Sequence, residues 1–208
     1  MSATMRLLGA AVAMSLASAC SILPHSEPVD LYRLPVDQPS RAVPAVEWSL
    51  RLNKPLASEA LAGPRIAVVP HGNVISSYKG ARWADAAPIL VRNRLLDGFQ
   101  RDGRVQRLSA DDSNLQGDFE LVGELLAFQT EYRPGGAVEV VVRYDARLVQ
   151  GRTQRILASK RFEVHQPLAD TQLPAVVAGF GQASDQLTGQ VVGWTITQAG
   201  AWLQAKNQ

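Results

Sequence analysis

Two hydrophobic periods alternate along this chain. Over residues 46–52, Val46, Trp48, Leu50 and Leu52 alternate with Glu47, Ser49 and Arg51, the period-2 pattern of a strand with one buried face. Leu31-Tyr32-Arg33-Leu34 is a shorter piece of the same kind, and Ile66-Ala67-Val68-Val69 is a compact apolar strand stopped by Pro70. Between Trp83 and Arg101 the period lengthens. Ala87, Val91, Leu95 and Phe99 recur at helical spacing with Leu90 and Leu96 beside them, while Arg92, Arg94 and Arg101 point elsewhere. Asp85 is the expected N-cap, Pro88 falls in the first turn, and Asp102-Gly103 closes the helix. Strands then resume at residues 105–108 and in the long apolar run 119–132. After the turn Arg133-Pro134-Gly135-Gly136, Val138, Val140, Val142, Tyr144, Ala146 and Leu148 share one face opposite Glu139, Arg143, Asp145 and Arg147. A turn at Gly151-Arg152-Thr153 returns the chain through residues 156–164. A last helix over about residues 172–204 opens at Asp170/Thr171 and Pro174 and carries the stripe Phe180, Leu187, Val191 and Trp194. Its glycines at 179, 181, 189 and 193 weaken it as an isolated helix, so it needs the sheet for support, and a break is expected near Gly193. Strands in succession with two helices predict an α+β fold: a two-layer sandwich of a mostly antiparallel sheet with two main helices packed on one face.

The N-terminus follows a different logic. Arg6 precedes the uncharged, mostly apolar run Leu7 to Leu16, which is shorter than the roughly 20 residues that span a bilayer but suits the core of an export signal. Ala17-Ser18-Ala19-Cys20 follows, with small residues where a peptidase meets the backbone. The stretch resembles a lipobox, although Ala17 stands where a large aliphatic residue is usual; an ordinary signal peptidase cut at the same A-x-A stretch is the other reading. Residues 1–19 are thus expected to be a lipoprotein signal peptide, residues 20–30 the lipidated cysteine and a Pro-marked tether, and residues 31–208 one domain. Ser21 after the cysteine, in the lipoproteins this stretch resembles, favours the outer membrane.

Composition narrows the chemistry. The chain has 208 residues, 46% of them hydrophobic and 19% charged, which suits a globular domain. A formal net charge of +2 gives no electrostatic case for nucleic acid. Cys20 is the one cysteine, which rules out an internal disulfide and a cysteine-based zinc site and is itself accounted for by lipidation. The histidines His25, His71 and His165 form no metal-binding spacing, and no nucleotide-binding loop or nucleophile elbow occurs. Glu120 and Glu124 share a strand face, for which solvation is the commoner reason than acid–base work. No enzyme, cofactor or metal is expected.

In order and content these pieces resemble the ABC-type transport auxiliary lipoprotein family, whose best-known members are PqiC-like. The resemblance is carried by the lipidated cysteine followed by Leu31-Tyr32-Arg33-Leu34, by Ile66 to Pro70, and most specifically by residues 75–96, which open Ile75-Ser76-Ser77-Tyr78-Lys79-Gly80-Ala81-Arg82-Trp83-Ala84-Asp85. The turn at Gly135-Gly136, the strand Phe162-Glu163-Val164 and the long last helix add to it. The resemblance implies a non-enzymatic outer-membrane lipoprotein on the periplasmic face. It would work with an inner-membrane ABC transporter and an MCE-domain protein to move phospholipid or another hydrophobic molecule across the periplasm. A structural or assembly lipoprotein of the envelope, unrelated to ABC transport, is the competing class. Tyr78, Arg82 and Trp83 are the candidate partner contact, since these residue types dominate binding hot spots; against it stands Trp83 packing under the first helix turn. Gly189 and Gly193 are candidates for a homo-oligomeric contact, against ordinary packing on the sheet.

Overall fold

The long apolar run Phe119–Tyr132 forms the strand around which the rest assembles in the computed structural model, which describes residues 29–35 and 44–206. In chain order the elements are β1 (Asp30–Tyr32), β2 (Val46–Leu52), β3 (Leu56–Ala57), the single turn α1 (Glu59–Ala62), β4 (Arg65–His71), β5 (Val74–Trp83), α2 (Ala87–Asp102), β6 (Val105–Ala110), β7 (Phe119–Tyr132), β8 (Val138–Gln150), β9 (Arg155–Pro167) and α3 (Leu173–Lys206). The signal, Cys20 and most of the tether lie outside the described residues.

The architecture is α+β, but the sheet is mixed rather than mostly antiparallel. Among the described residues, five of the eight strand pairings are parallel. One edge of β7 is bonded along its length to β8, which pairs in turn with β9, both antiparallel. The other edge is shared in succession by β2 at Phe119–Leu121, β3 at Glu124 and Leu125, and β4 at Gln129–Glu131, all running parallel to β7. From there the sheet continues as two branches, β2–β6 and β4–β5–β1. Alternation reports one buried face and carries no information about partner direction, which is why the parallel pairs were not foreseen.

Local irregularities explain where the sequence pattern misleads. A register shift between Leu125 and Ala127 interrupts the alternation of β7, so Leu125, Ala127 and Phe128 are all buried. Strand β5 contains Ser76, Ser77 and Lys79, and Gly80 at φ 67° breaks its period, so it reads as a polar connection although it pairs with β4 and β1. Helix α2 consequently starts at Ala87, with Ala86 and not Asp85 at its N-cap and no side-chain cap. The Ala87 N–H instead donates to the Gly63 carbonyl at 3.4 Å. Its C-terminus is as expected, with Gly103 left-handed at φ 78° and its N–H on the Phe99 carbonyl.

Helix α3 runs unbroken through Gly193. Three aromatic residues fasten it along the sheet: Phe180 against Trp83 and Phe128, Trp194 against Phe162, and Trp202 against Phe119, with centroids 4.8–5.6 Å apart. At 1.5 Å per residue these anchors span about 33 Å, so tertiary packing offsets the glycines' low helix propensity. Gly98 admits the Thr188 methyl where α2 crosses α3, for an added Cβ would lie 2.0 Å from it.

The centre of the sheet depends on one close approach. The Tyr144 ring of β8 lies over Gly123 of β7, where an added Cβ would be 2.5 Å from the ring and 2.3 Å from the Asp145 carbonyl oxygen. Tyr144 is fully buried, its hydroxyl has no hydrogen-bond partner among the described residues, and burial pushes its pKa well above the ordinary value. Gly123→Ala is therefore expected to lower unfolding free energy by about 1–3 kcal/mol or more, through overpacking. Tyr144→Phe removes an unsatisfied hydroxyl and should leave stability equal or higher, whereas Tyr144→Ala should cost about 3–5 kcal/mol. Urea unfolding of the three variants measures the contrast.

Candidate functional site

Strand β5 places the three candidate contact residues in different environments. Ala81 and Trp83 turn inward and Arg82 outward, as the pleat requires. Trp83 is 0% exposed, packed on Phe180 at 5.1 Å and Phe128 at 5.7 Å between centroids. It is a core residue and not a surface anchor, which corrects that part of the partner-contact expectation. Tyr78 is half-buried: its hydroxyl oxygen lies 3.1 Å from Thr130 Oγ1, and burial raises its pKa against that hydrogen bond. Arg82 is exposed. What remains of the contact is thus Arg82 with part of Tyr78, on opposite sides of the strand.

The starts of β2 and β7, the β8–β9 turn and the end of α3 enclose an open depression of about 990 Å³. Its floor is aromatic. Phe119 receives Trp48 on one side at 5.2 Å and Trp202 on the other at 5.6 Å, both edge-on. Arg152 and Lys206 stand at its rim, with Lys206 Nζ 5.4 Å from the centre of the Trp202 ring. Of the two carboxylates here, Glu47 is exposed and Asp118 is engaged: it accepts the Ser49 N–H at 2.8 Å and the Ser49 hydroxyl at 2.7 Å, and these bonds hold its pKa below the usual range. An aromatic floor with a polar, partly cationic rim suits apolar or aromatic groups. Its residues come from segments far apart in sequence, so only the fold brings them together.

A polar ladder covers the outward side of β8 and β9. His165 bridges Glu139 (Nδ1 to Oε1, 3.0 Å) and Glu163 (Nε2 to Oε1, 2.9 Å). Arg133 bonds Glu139 and Glu131, and Arg143 bonds Glu163. The Arg143 hydrogen bond, joined by that of His165, pulls Glu163 down to about 2. The hydrogen bonds to Glu139 and then Glu163 outweigh burial and raise His165. Farther along, Arg161 binds Asp145 through two hydrogen bonds at 2.6 and 2.7 Å. Sequence alternation assigned Glu139, Arg143 and Asp145 to one face; strand register brings Arg161, Glu163 and His165 of β9 against them.

The remaining candidates are structurally occupied. Glu120 accepts hydrogen bonds from Asn53 and Gln154 at 3.0 and 2.9 Å. Among the described residues no group of three or more His, Cys, Asp or Glu is placed to hold a metal ion. Of the α3 glycines, Gly179 and Gly181 pack against Leu168 and Pro35, while Gly189 and Gly193 face open space.

Comparison with known proteins follows this geometry. Residues 32–192 match the family model described as ABC-type transport auxiliary lipoprotein component. An uncharacterized protein of Bradyrhizobium diazoefficiens is 28% identical over 156 residues, which are 74% of this chain and 41% of that protein, so the chain spans less than half the length of this curated relative. The crystal structure of a Xanthomonas campestris protein of family DUF330 superposes with a TM-score of 0.78 at 29% identity, covering 85% of this chain and 99% of that one. A second crystal structure, of an uncharacterized protein, shares the fold with a TM-score of 0.62 at 16% identity, covering 80% and 97% of the two chains.

Two outcomes follow from the geometry. Trp83→Ala should lower stability by about 3–5 kcal/mol, and Arg82→Ala should change it by no more than about 0.5 kcal/mol, both read by chemical denaturation. Because the fold raises the His165 pKa, its bridge stabilises the protein below the ordinary value of 6.5, and that contribution fades as pH rises through the raised value. The stability advantage of the native protein over His165→Gln should therefore be largest near pH 5.5 and shrink toward pH 8.5, within the ~0–1 kcal/mol typical of exposed pairs.

Proposed function

Since this chain belongs to the ABC-type transport auxiliary lipoprotein family, we propose that it is a non-enzymatic auxiliary subunit of an MCE-type ABC transport system, held on the periplasmic face of the outer membrane by lipid on Cys20. The observation that carries the reading is the family match over residues 32–192, nearly the whole described domain. Cys20 at the end of the apolar run and Ser21 after it support the anchor and its address. Several buried acyl chains hold firmly where one holds marginally, at roughly 0.8 kcal/mol per methylene. Among the described residues no helix is long and apolar enough to cross a membrane. The sequence holds no nucleotide-binding loop, so ATP hydrolysis falls to the transporter partner, and phospholipid or another hydrophobic molecule is the cargo. Arg82 and the open aromatic depression are the surfaces offered to the MCE-domain partner. The open face at Gly189 and Gly193 is the place where self-association would be sought by sizing the purified protein.

Labelled palmitate should enter the native chain and not Cys20→Ser, and the variant should leave the membrane fraction. A variant that stays membrane-bound refutes the anchor. Co-purification of the native protein with an MCE-domain protein and its ABC permease is expected, and its failure in membranes containing all three would point to an envelope lipoprotein of another class.

A further inference from the structure

Strand directions assign every turn of the sheet to one of two ends. β4 runs parallel to β7, so the β4–β5 hairpin tip lies at the same end as Tyr132 and the β7–β8 turn. The β8–β9 turn and the C-terminus of α3 lie at the other end. β1 pairs in parallel with β5, which runs away from the hairpin tip, so the chain arrives at Asp30 from the hairpin end.

That end carries apolar side chains where a turn normally presents polar ones. The tip is a two-residue turn, Gly72-Asn73, with Gly72 at φ 53° in the position a type II′ turn reserves for glycine. Val74 and Ile75 follow it at 49% and 44% exposure. Tyr132 is 38% exposed, and by register its strand lies two strand spacings away, about 10 Å. Of the charged residues on this side, Arg133 is held by Glu131 and Glu139, and Lys79 lies farther back along β5. Leu56, Leu115 and Ile156 are exposed too, but singly, which is ordinary for a protein surface. Val29 and Leu31, also exposed, lie at the far end of β5 from the tip, where β1 pairs with it.

We infer that the β4–β5 hairpin tip, with Tyr132, is a membrane-contacting element that seats in the lipid interface beside the anchor; this rests on the reading of Cys20 as lipidated. The lengths agree. Asp30 pairs with Ala81, and Ile75 lies about 20 Å farther toward the tip at ~3.3 Å per residue. The stretch from Cys20 to Asp30 can span at most about 35 Å, which exceeds that distance and leaves the tip within reach of the bilayer that holds the lipid. The occupant is the bilayer. Two β-branched aliphatics insert shallowly, and the tyrosine ring beside them sits at headgroup level. The β8–β9 turn with its Arg152 then points away from the membrane, leaving the aromatic depression free for a partner.

The test uses the lipidated full chain reconstituted in phosphatidylethanolamine–phosphatidylglycerol vesicles. With Cys20 acylated, a cysteine introduced by Ile75→Cys is the single thiol and takes an environment-sensitive fluorophore; Thr153→Cys, in the β8–β9 turn, is the control. The Ile75 probe should shift to shorter wavelength and lose emission when the vesicles contain lipid-attached quenchers, while the Thr153 probe should do neither. In a Val74→Asp/Tyr132→Ser background the Ile75 probe should lose its quenching while the protein stays anchored. A protein that remains in the membrane with its Ile75 probe as wet as the Thr153 probe overturns this inference and leaves the anchor standing. A blue-shifted probe that lipid quenchers do not reach overturns it in favour of a protein contact, either a second copy or a partner. A chain that does not enter the vesicles at all, and labels at Cys20, overturns the anchor and this inference together.

Discussion

A buried central strand must find partners for its backbone N–H and C=O groups on both edges. In β7 that requirement is met asymmetrically, by one long antiparallel neighbour on one side and by three short parallel neighbours on the other. The branching of the sheet follows from it. Strands β2 and β4 take different parts of the same edge, and each brings its own partners, β6 on one branch and β5 with β1 on the other. The register shift near Leu126 accommodates the bend this demands. The arriving arm, the hairpin tip and the aromatic depression all inherit their positions from the branching.

Helix α3 is the complementary constraint. Its sequence is rich in small residues, and its contacts differ along its length. Near the N-terminal end, Phe180 joins Trp83 and Phe128 in a fully buried cluster. At the far end, Trp202 closes over Phe119 and becomes part of the floor of the depression. The same residues that hold the helix on the sheet therefore shape the surface at its end, where Trp202 is tied down by its contact with Phe119.

Much of this was legible in the sequence and some was not, for identifiable reasons. Clean alternation in Val138–Gln150 and helical spacing in Ala87–Asp102 located β8 and α2 because each has one wet face. Strand β5 was missed because Ser76, Ser77, Lys79 and Gly80 erase its apolar period, and only pairing with β4 and β1 makes it a strand. Trp83 was therefore read only as packing under the first turn of the following helix, not as the inward residue of a strand. Parallel pairing leaves no mark on a single strand's pattern, so the sheet's direction was read wrongly. Family resemblance, carried most specifically by residues 75–96, outran the structural reading: the family was recognisable although the strand that opens that stretch was not.

The edge-sharing of β7 also has a temporal side. The Ser49–Asp118 hydrogen bonds join residues 69 positions apart, and the β2–β7 and β4–β7 pairs span comparable separations. Such non-local pairing is slow to form, because loop-closure entropy must be met before any contact stabilises the chain. Until Phe119–Tyr132 has been synthesised, β2, β3 and β4 have no shared strand to join, and Trp83 has neither Phe128 nor Phe180 to pack against. The N-terminal half holds the β4–β5 hairpin and the β2–β6 pair within itself, but the contacts that close its core wait for the second half.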